Sequence, residues 1–372
     1  MRHNVNTQAF FELLRAGLWG SEAHLLPFEG RDFQEVYRLA KEQSVIGVVA
    51  AGLEMVVDKK PAKQEVVKFI ASTLKTEEKN AAMNRFIGKI IGKMRHAGIH
   101  TLLVKGQGIA QCYLRPQWRA CGDVDLFLDA DNYAKAKAFL APLVSHVEPE
   151  SVESMQYEAH IGPWSVELHG TLRCGLSARM DKVIDDVQKD TMAGGNVRIW
   201  KNGDTDVYLP GVDNDVVFIF THFLKHFYKG GLGLRQICDW CRLLWTYRSE
   251  INLDLLRDRL GQMRLESEWK AFAAYAVDYL GMPAEAMPFY NASGCWSRKA
   301  GRIHRFILKV GNFGHNRDLS YYEKYPYLVR KAISMGQRLG DLCRHALIFP
   351  LDSLRFLPGI MFNGIKAATR GE

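Results

Sequence analysis

Two short runs constrain this 372-residue chain more than any others. They are Asp123-Val124-Asp125-Leu126-Phe127-Leu128 and, about forty residues later, Trp164-Ser165-Val166-Glu167-Leu168-His169-Gly170. Side chains alternate across an extended strand, so Val124, Leu126 and Leu128 are expected to enter a core while Asp123 and Asp125 emerge together on the other face. The same alternation in the second run buries Trp164, Val166 and Leu168 and presents Ser165, Glu167 and His169. Carboxylates held side by side repel, and a hard divalent cation such as Mg2+ is the simplest relief. Asp123, Asp125 and Glu167 are therefore the expected catalytic carboxylates and metal ligands. His169 is expected to hydrogen-bond to Glu167 and orient it. Three such groups on neighbouring strands can hold two ions roughly 3.5–4 Å apart, an arrangement suited to phosphoryl transfer without a covalent residue.

Upstream, Thr101-Leu102-Leu103-Val104 reads as a strand running into Lys105-Gly106-Gln107-Gly108, with a short helix expected from Ile109 to Leu114. Glycine admits close approach of backbone to phosphate, and free N–H groups at a helix start favour an anion.

With these residues in place, the chain resembles the bacterial nucleotidyltransferases of the polymerase-beta superfamily, in a branch marked by K-G, then R-x-x-x-D-h-D-L, then h-E-L-H. The matching residues here are Lys105-Gly106, Arg119 with Asp123-Val124-Asp125-Leu126, and Val166-Glu167-Leu168-His169. The resemblance extends over roughly 100–245, taking in Thr221, His222, Lys225, His226, Gly233, Leu234, Arg235 and Asp239. It implies an α+β fold, a mixed-sheet nucleotidyltransferase core flanked by N-terminal and C-terminal helical regions. It also implies Mg2+, or Mn2+, on Asp123, Asp125 and Glu167, with an NTP as substrate. Gly106 would begin the phosphate loop, with Gln107 where the superfamily usually has Ser or Thr. Lys105, Gly106, Gln107, Arg119, Lys225, His226 and Arg235 would contact nucleotide or organise the site, with Asp239 fixing Arg235.

Three units are expected: a helical module over 1–99, the core over 100–212, and a helical domain with a basic tail over 213–372. The first contains one long helix between Pro61 and Gly98. A hairpin is expected across Lys201-Asn202-Gly203-Asp204, and Pro210-Gly211 marks a boundary. The net charge of +8 belongs to the tail, where 296–372 carry 14 Lys/Arg against 5 Asp/Glu. That tail interleaves its cations with aromatic residues, a pattern suited to an anionic membrane surface or a polyanion, although such residues more often pack on the body of a protein.

No run approaches the ~18 apolar residues of a spanning helix, and the N-terminus reads as an amphipathic helix rather than a signal peptide. Seven scattered cysteines without secretory context point to reduced thiols in a cytoplasm. Cys238 and Cys241 have redox-motif spacing but lie in a helical apolar pattern, where core packing is expected. His222 and His226 share a helix face without an evident third zinc ligand. The function expected is NMP transfer from an NTP to a hydroxyl acceptor, a small molecule such as a sugar or surface-polysaccharide precursor. The alternatives are nucleotide addition to RNA or protein, and an inactive nucleotide-binding or scaffold protein.

Overall fold

Pro61 and Gly98 bracket a 34-residue helix, as their chemistry predicts. In the computed structural model, which describes residues 4–148, 155–229, 231–311 and 325–356, this helix spans Lys63–His96. Glu65 reaches back to accept from the Ala62 N–H at 2.7 Å, and Gly98 leaves the helix at φ +71°. Three shorter helices precede it: α1 (Val5–Trp19), α2 (Phe33–Glu42) and α3 (Ile46–Glu54), so the long helix is α4. Helices α1 and α3 touch backbone to backbone. A Cβ on Gly17 would lie 1.8 Å from the Val48 carbonyl oxygen, and one on Gly52 would lie 1.9 Å from that of Leu13.

The chain then builds β1 (Leu102–Val104), α5 (Gly106–Ala110), β2 (Asp123–Phe127), α6 (Ala130–Leu140), β3 (His146–Val147), β4 (Gln156–Ile161) and β5 (Trp164–His169). The five strands form one mixed sheet in the order β1-β2-β5-β4-β3. Strands β2 and β5 run parallel, and the remaining neighbours are antiparallel. After α7 (Ala178–Met192), strands β6 (Val197–Asn202) and β7 (Thr205–Pro210) form the expected hairpin, turning through Gly203 at φ +58°. The fold is α+β, with helices flanking the sheet on both sides.

Alternation gives the sheet two different faces. Val124, Leu126, Val166 and Leu168, each at most 1% exposed, pack with Met83, Ile87, Ile90 and Met94 of α4 and with Tyr133, Ala136 and Leu140 of α6. Burying each such side chain contributes roughly 1.5–3 kcal/mol, so a one-residue slip of β2 or β5 is strongly disfavoured. The opposite face carries Asp123, Asp125, Glu167 and His169, and then Phe127, which joins a larger apolar cluster. That cluster runs from Ala9 of α1 to Phe356 and holds most of the C-terminal helices: α8 (Val212–Lys229), α9 (Leu234–Thr246), α10 (Leu253–Met263), α11 (Glu266–Asp278), α12 (Gly294–Val310) and α13 (Tyr327–Ile348).

The described part of the basic C-terminal region packs one face inward and leaves Leu347, Leu351 and Leu354 exposed on the other. Ile348, Phe349 and Phe356 are at most 2% exposed within the large cluster. The stretches 312–324 and 357–372, which carry part of the aromatic-basic pattern, lie outside the described residues. Cys238 and Cys241 are buried free thiols inside α9. Among the described residues no helix is long and apolar enough to cross a membrane.

Candidate active site

Parallel pairing of β2 with β5 sets Asp123 opposite Ser165 and Asp125 opposite Glu167. A third side chain from β5 closes the group, because His169 Nε2 lies 2.8 Å from Asp125 Oδ1 and 3.3 Å from Glu167 Oε2. Ligand atoms of Asp125, Glu167 and His169 all fall within 4.8 Å of one another, the one such group of three among the described residues. Asp123 lies outside this tight group but lines the same cleft. His169, expected to orient Glu167, thus reaches both carboxylates.

The charges in this group are mutually dependent. Lys105 Nζ sits 2.5 Å from Asp125 Oδ1, with both side chains largely buried. Burial opposes a charge on Asp125, but Lys105 and His169 outweigh it and hold its carboxyl below the usual range. The charge on Asp125, followed by burial, raises Asp123 instead. On His169, burial and Lys105 favour the neutral ring, yet hydrogen bonds to Asp125 and Glu167 win and raise its pKa. Lys105 is likewise held above its ordinary value, with burial overcome by Asp125 and Glu167.

Helices α8 and α9 supply the facing wall. Lys225, His226, His222, Arg235 and Asp239 line it, with Phe218, Ile219 and Phe223 between them. His222 and His226 are one turn apart and their Nε2 atoms lie 3.1 Å from each other, so one ring donates to the other. Burial, then Lys225 and Lys105, push His226 down to about 3. Burial, then Lys105 and His226, push His222 well below its ordinary value. Burial and then Lys105 lower Lys225.

Three expectations are corrected. The helix after β1 begins at Gly106 rather than Ile109, and its turn carries Gln107 away from the cleft. Gln107 is 1% exposed and its Nε2 meets Met83 Sδ of α4 at 3.7 Å. Asp239 fixes Arg119 rather than Arg235. The Arg119 guanidinium donates through Nε at 3.0 Å and Nη2 at 2.6 Å to the two carboxylate oxygens of Asp239, and the Tyr113 hydroxyl donates to Oδ1 at 2.7 Å. Arg235, which lines the cleft as expected, instead donates through Nη1 to the Ala120 carbonyl at 3.1 Å.

That contact belongs to a set of donors on the segment leading into β2. Asn80 Nδ2 donates to the carbonyls of Gln117 and Arg119 at 2.7 and 2.8 Å, and Lys79 Nζ donates to that of Cys121 at 3.2 Å. The backbone before Asp123 is thereby held from α4 on one side and α9 on the other. Asn80 is fully buried on the inward face of α4, and a polar residue at a core position was the available signal. Gln156, which also lines the cleft, donates to Glu167 Oε2 at 3.1 Å.

Chemically, the cleft sets carboxylates and an imidazole on one wall against cations on the other, the complement of a polyphosphate bound through a divalent cation. Lys105, Gly106, Arg119, Asp123, Asp125, Glu167, Lys225, His226 and Arg235 all line it, drawn from elements more than a hundred residues apart in the chain. Neither the curated proteins nor the solved structures include a match to this chain. The sequence model of one family does match, over residues 29–281 and so over more than half of the chain, and the protein belongs to that family, the uncharacterised nucleotidyltransferases.

Proposed function

We propose that this protein is a metal-dependent nucleotidyltransferase of the polymerase-beta kind, which moves NMP from an NTP to a hydroxyl acceptor and releases pyrophosphate. The observation that carries this reading is the in-register pairing of Asp125 with Glu167 on parallel strands, beneath the cationic wall of α8 and α9. The donor set fits a hard divalent ion, Mg2+ or Mn2+, since carboxylate oxygens and one imidazole nitrogen converge within 4.8 Å. Asp125 and Glu167 would hold it, with Asp123 and His169 beside them. When bound, such an ion supplies Lewis acidity and neutralises charge on the phosphates.

The chain's own residues orient the reactants. Lys225 and Arg235 draw the triphosphate to the far wall, and Phe218, Ile219 and Phe223 restrict water there. Asp123 lines the cleft beside Asp125 and Glu167 and completes the carboxylate set that would face the ion. In this reading 100–212 carry the carboxylates, 213–372 the facing wall, and 1–99 back the sheet.

The acceptor in this reading is a small molecule, such as a sugar or surface-polysaccharide precursor. The test is incubation of the purified chain with each NTP, Mg2+ and a panel of sugar, RNA and protein acceptors, followed by pyrophosphate release. Release that depends on a sugar acceptor and vanishes in Glu167→Gln supports the reading, and release that needs RNA or protein moves the acceptor to that class.

A further inference from the structure

Lys105 stands where two observations meet. Its Nζ is 2.5 Å from Asp125 Oδ1, the same oxygen that His169 approaches and a member of the group able to converge on a cation. Its backbone has φ +57° and ψ −145°, a region that glycine alone enters freely. Other described non-glycine residues with positive φ are Ser44, Met155, Arg264 and Phe289, and none of them lines the cleft. The unusual backbone thus falls at the residue that delivers a positive charge to the carboxylates.

An ammonium and a divalent ion held on one carboxylate oxygen repel each other strongly in a buried site, so each weakens the hold of the other. Buried carboxylates without a counter-ion are unfavourable, so a tethered cation suits them until a metal takes its place. We propose that the Lys105 ammonium is the built-in counter-ion of this site, competing with the divalent ion for Asp125 and leaving it when nucleotide phosphates offer another anion, a role that rests on reading Asp125 and Glu167 as metal ligands. Metal and nucleotide then bind cooperatively, each favouring the state in which Lys105 has turned away.

The experiment is Mn2+ binding to the full chain without nucleotide, read from the loss of the free-ion electron paramagnetic resonance signal. Wild type is compared with Lys105→Met and Lys105→Gly. The glycine variant removes the ammonium and also suits the backbone conformation, so folding is preserved even if the methionine variant is unstable. The expected result is Mn2+ affinity at least tenfold tighter in the variants than in wild type. Affinity equal to or weaker than wild type in the folded glycine variant overturns the proposal.

Asp125→Ala separates this proposal from the reading beneath it. Binding that needs Asp125 but fails to tighten without Lys105 removes the counter-ion role alone. Binding that survives Asp125→Ala, or no Mn2+ binding by any of the proteins, overturns the metal site and the counter-ion role together.

Discussion

His169 and Asp125 are joined by a 2.8 Å contact from Nε2 to Oδ1, although they lie on different strands. The parallel pairing of β2 with β5 puts His169 opposite Phe127, two residues beyond Asp125, so the ring leans back along the strand to reach the carboxylate. It reaches Glu167 from the same nitrogen. Replacing His169 with Gln should weaken Mn2+ binding by about 10- to 100-fold, the range for a group that orients or supplements metal ligands. Calorimetric titration of Mn2+ measures this, and unchanged affinity would show that the ring is only packed there.

The Arg119–Asp239 pair should matter for folding as well as for the site. Both side chains are at most 8% exposed, and two hydrogen bonds join them across 120 residues of chain. Asp239→Ala leaves a buried guanidinium and the Tyr113 hydroxyl without their acceptor, which should cost about 3–5 kcal/mol of stability in urea unfolding. The double variant Arg119→Met, Asp239→Leu should recover part of that loss. Additive losses would mean that the two residues act separately.

Stability should fall as pH drops below the ordinary histidine range. In the folded chain His226 is pushed down to about 3 by burial, then by Lys225 and Lys105, and His222 is lowered by burial, then by Lys105 and His226. Between about pH 6.5 and 3 the unfolded chain therefore binds protons at these rings that the folded chain refuses, and stability rises with pH across that window. Urea midpoints measured from pH 7 to 4 should decline, and less steeply in the His222→Gln, His226→Gln double variant. Parallel curves for the two proteins would refute the assignment.

Nucleotide affinity should distinguish two residues that sequence alone places in one group. Lys225 lines the cleft, whereas Gln107 is turned into the core against Met83. Lys225→Met should lower NTP affinity by about 10- to 150-fold, the scale of one charge-assisted hydrogen bond at about 1.5–3 kcal/mol. Gln107→Ser should leave it unchanged. Equal effects in a titration would place Gln107 in the phosphate loop after all.

What was legible in the sequence depended on local periodicity. Asp123, Asp125 and Glu167 could be found because period-two alternation fixes which face each side chain takes, and the apolar partners Val124, Leu126, Val166 and Leu168 are buried as expected. The long helix and the hairpin announced themselves through proline and glycine at their ends. Gln156 was missed because the stretch before Ile161 was read as a loop and possible strand, whereas it forms a tight hairpin with β5 through Gly162 and Pro163 that sets Gln156 opposite His169. Asp239 went to Arg119 rather than Arg235 because three-dimensional proximity overrode a four-residue spacing on α9. Gln107 was misplaced because the start of a five-residue helix, three residues earlier than expected, rotates the side chain onto another face.

Whether the carboxylate wall binds nucleotide through a metal is decided by calorimetric titration. Each NTP is titrated into the purified chain with and without Mg2+, and again into the Asp123→Ala, Asp125→Ala double variant. Wild type should bind at least one NTP only when Mg2+ is present, and the folded variant should lose that binding. Failure of the folded wild type to bind any NTP, or binding that survives in the double variant, would contradict metal-mediated binding by this wall.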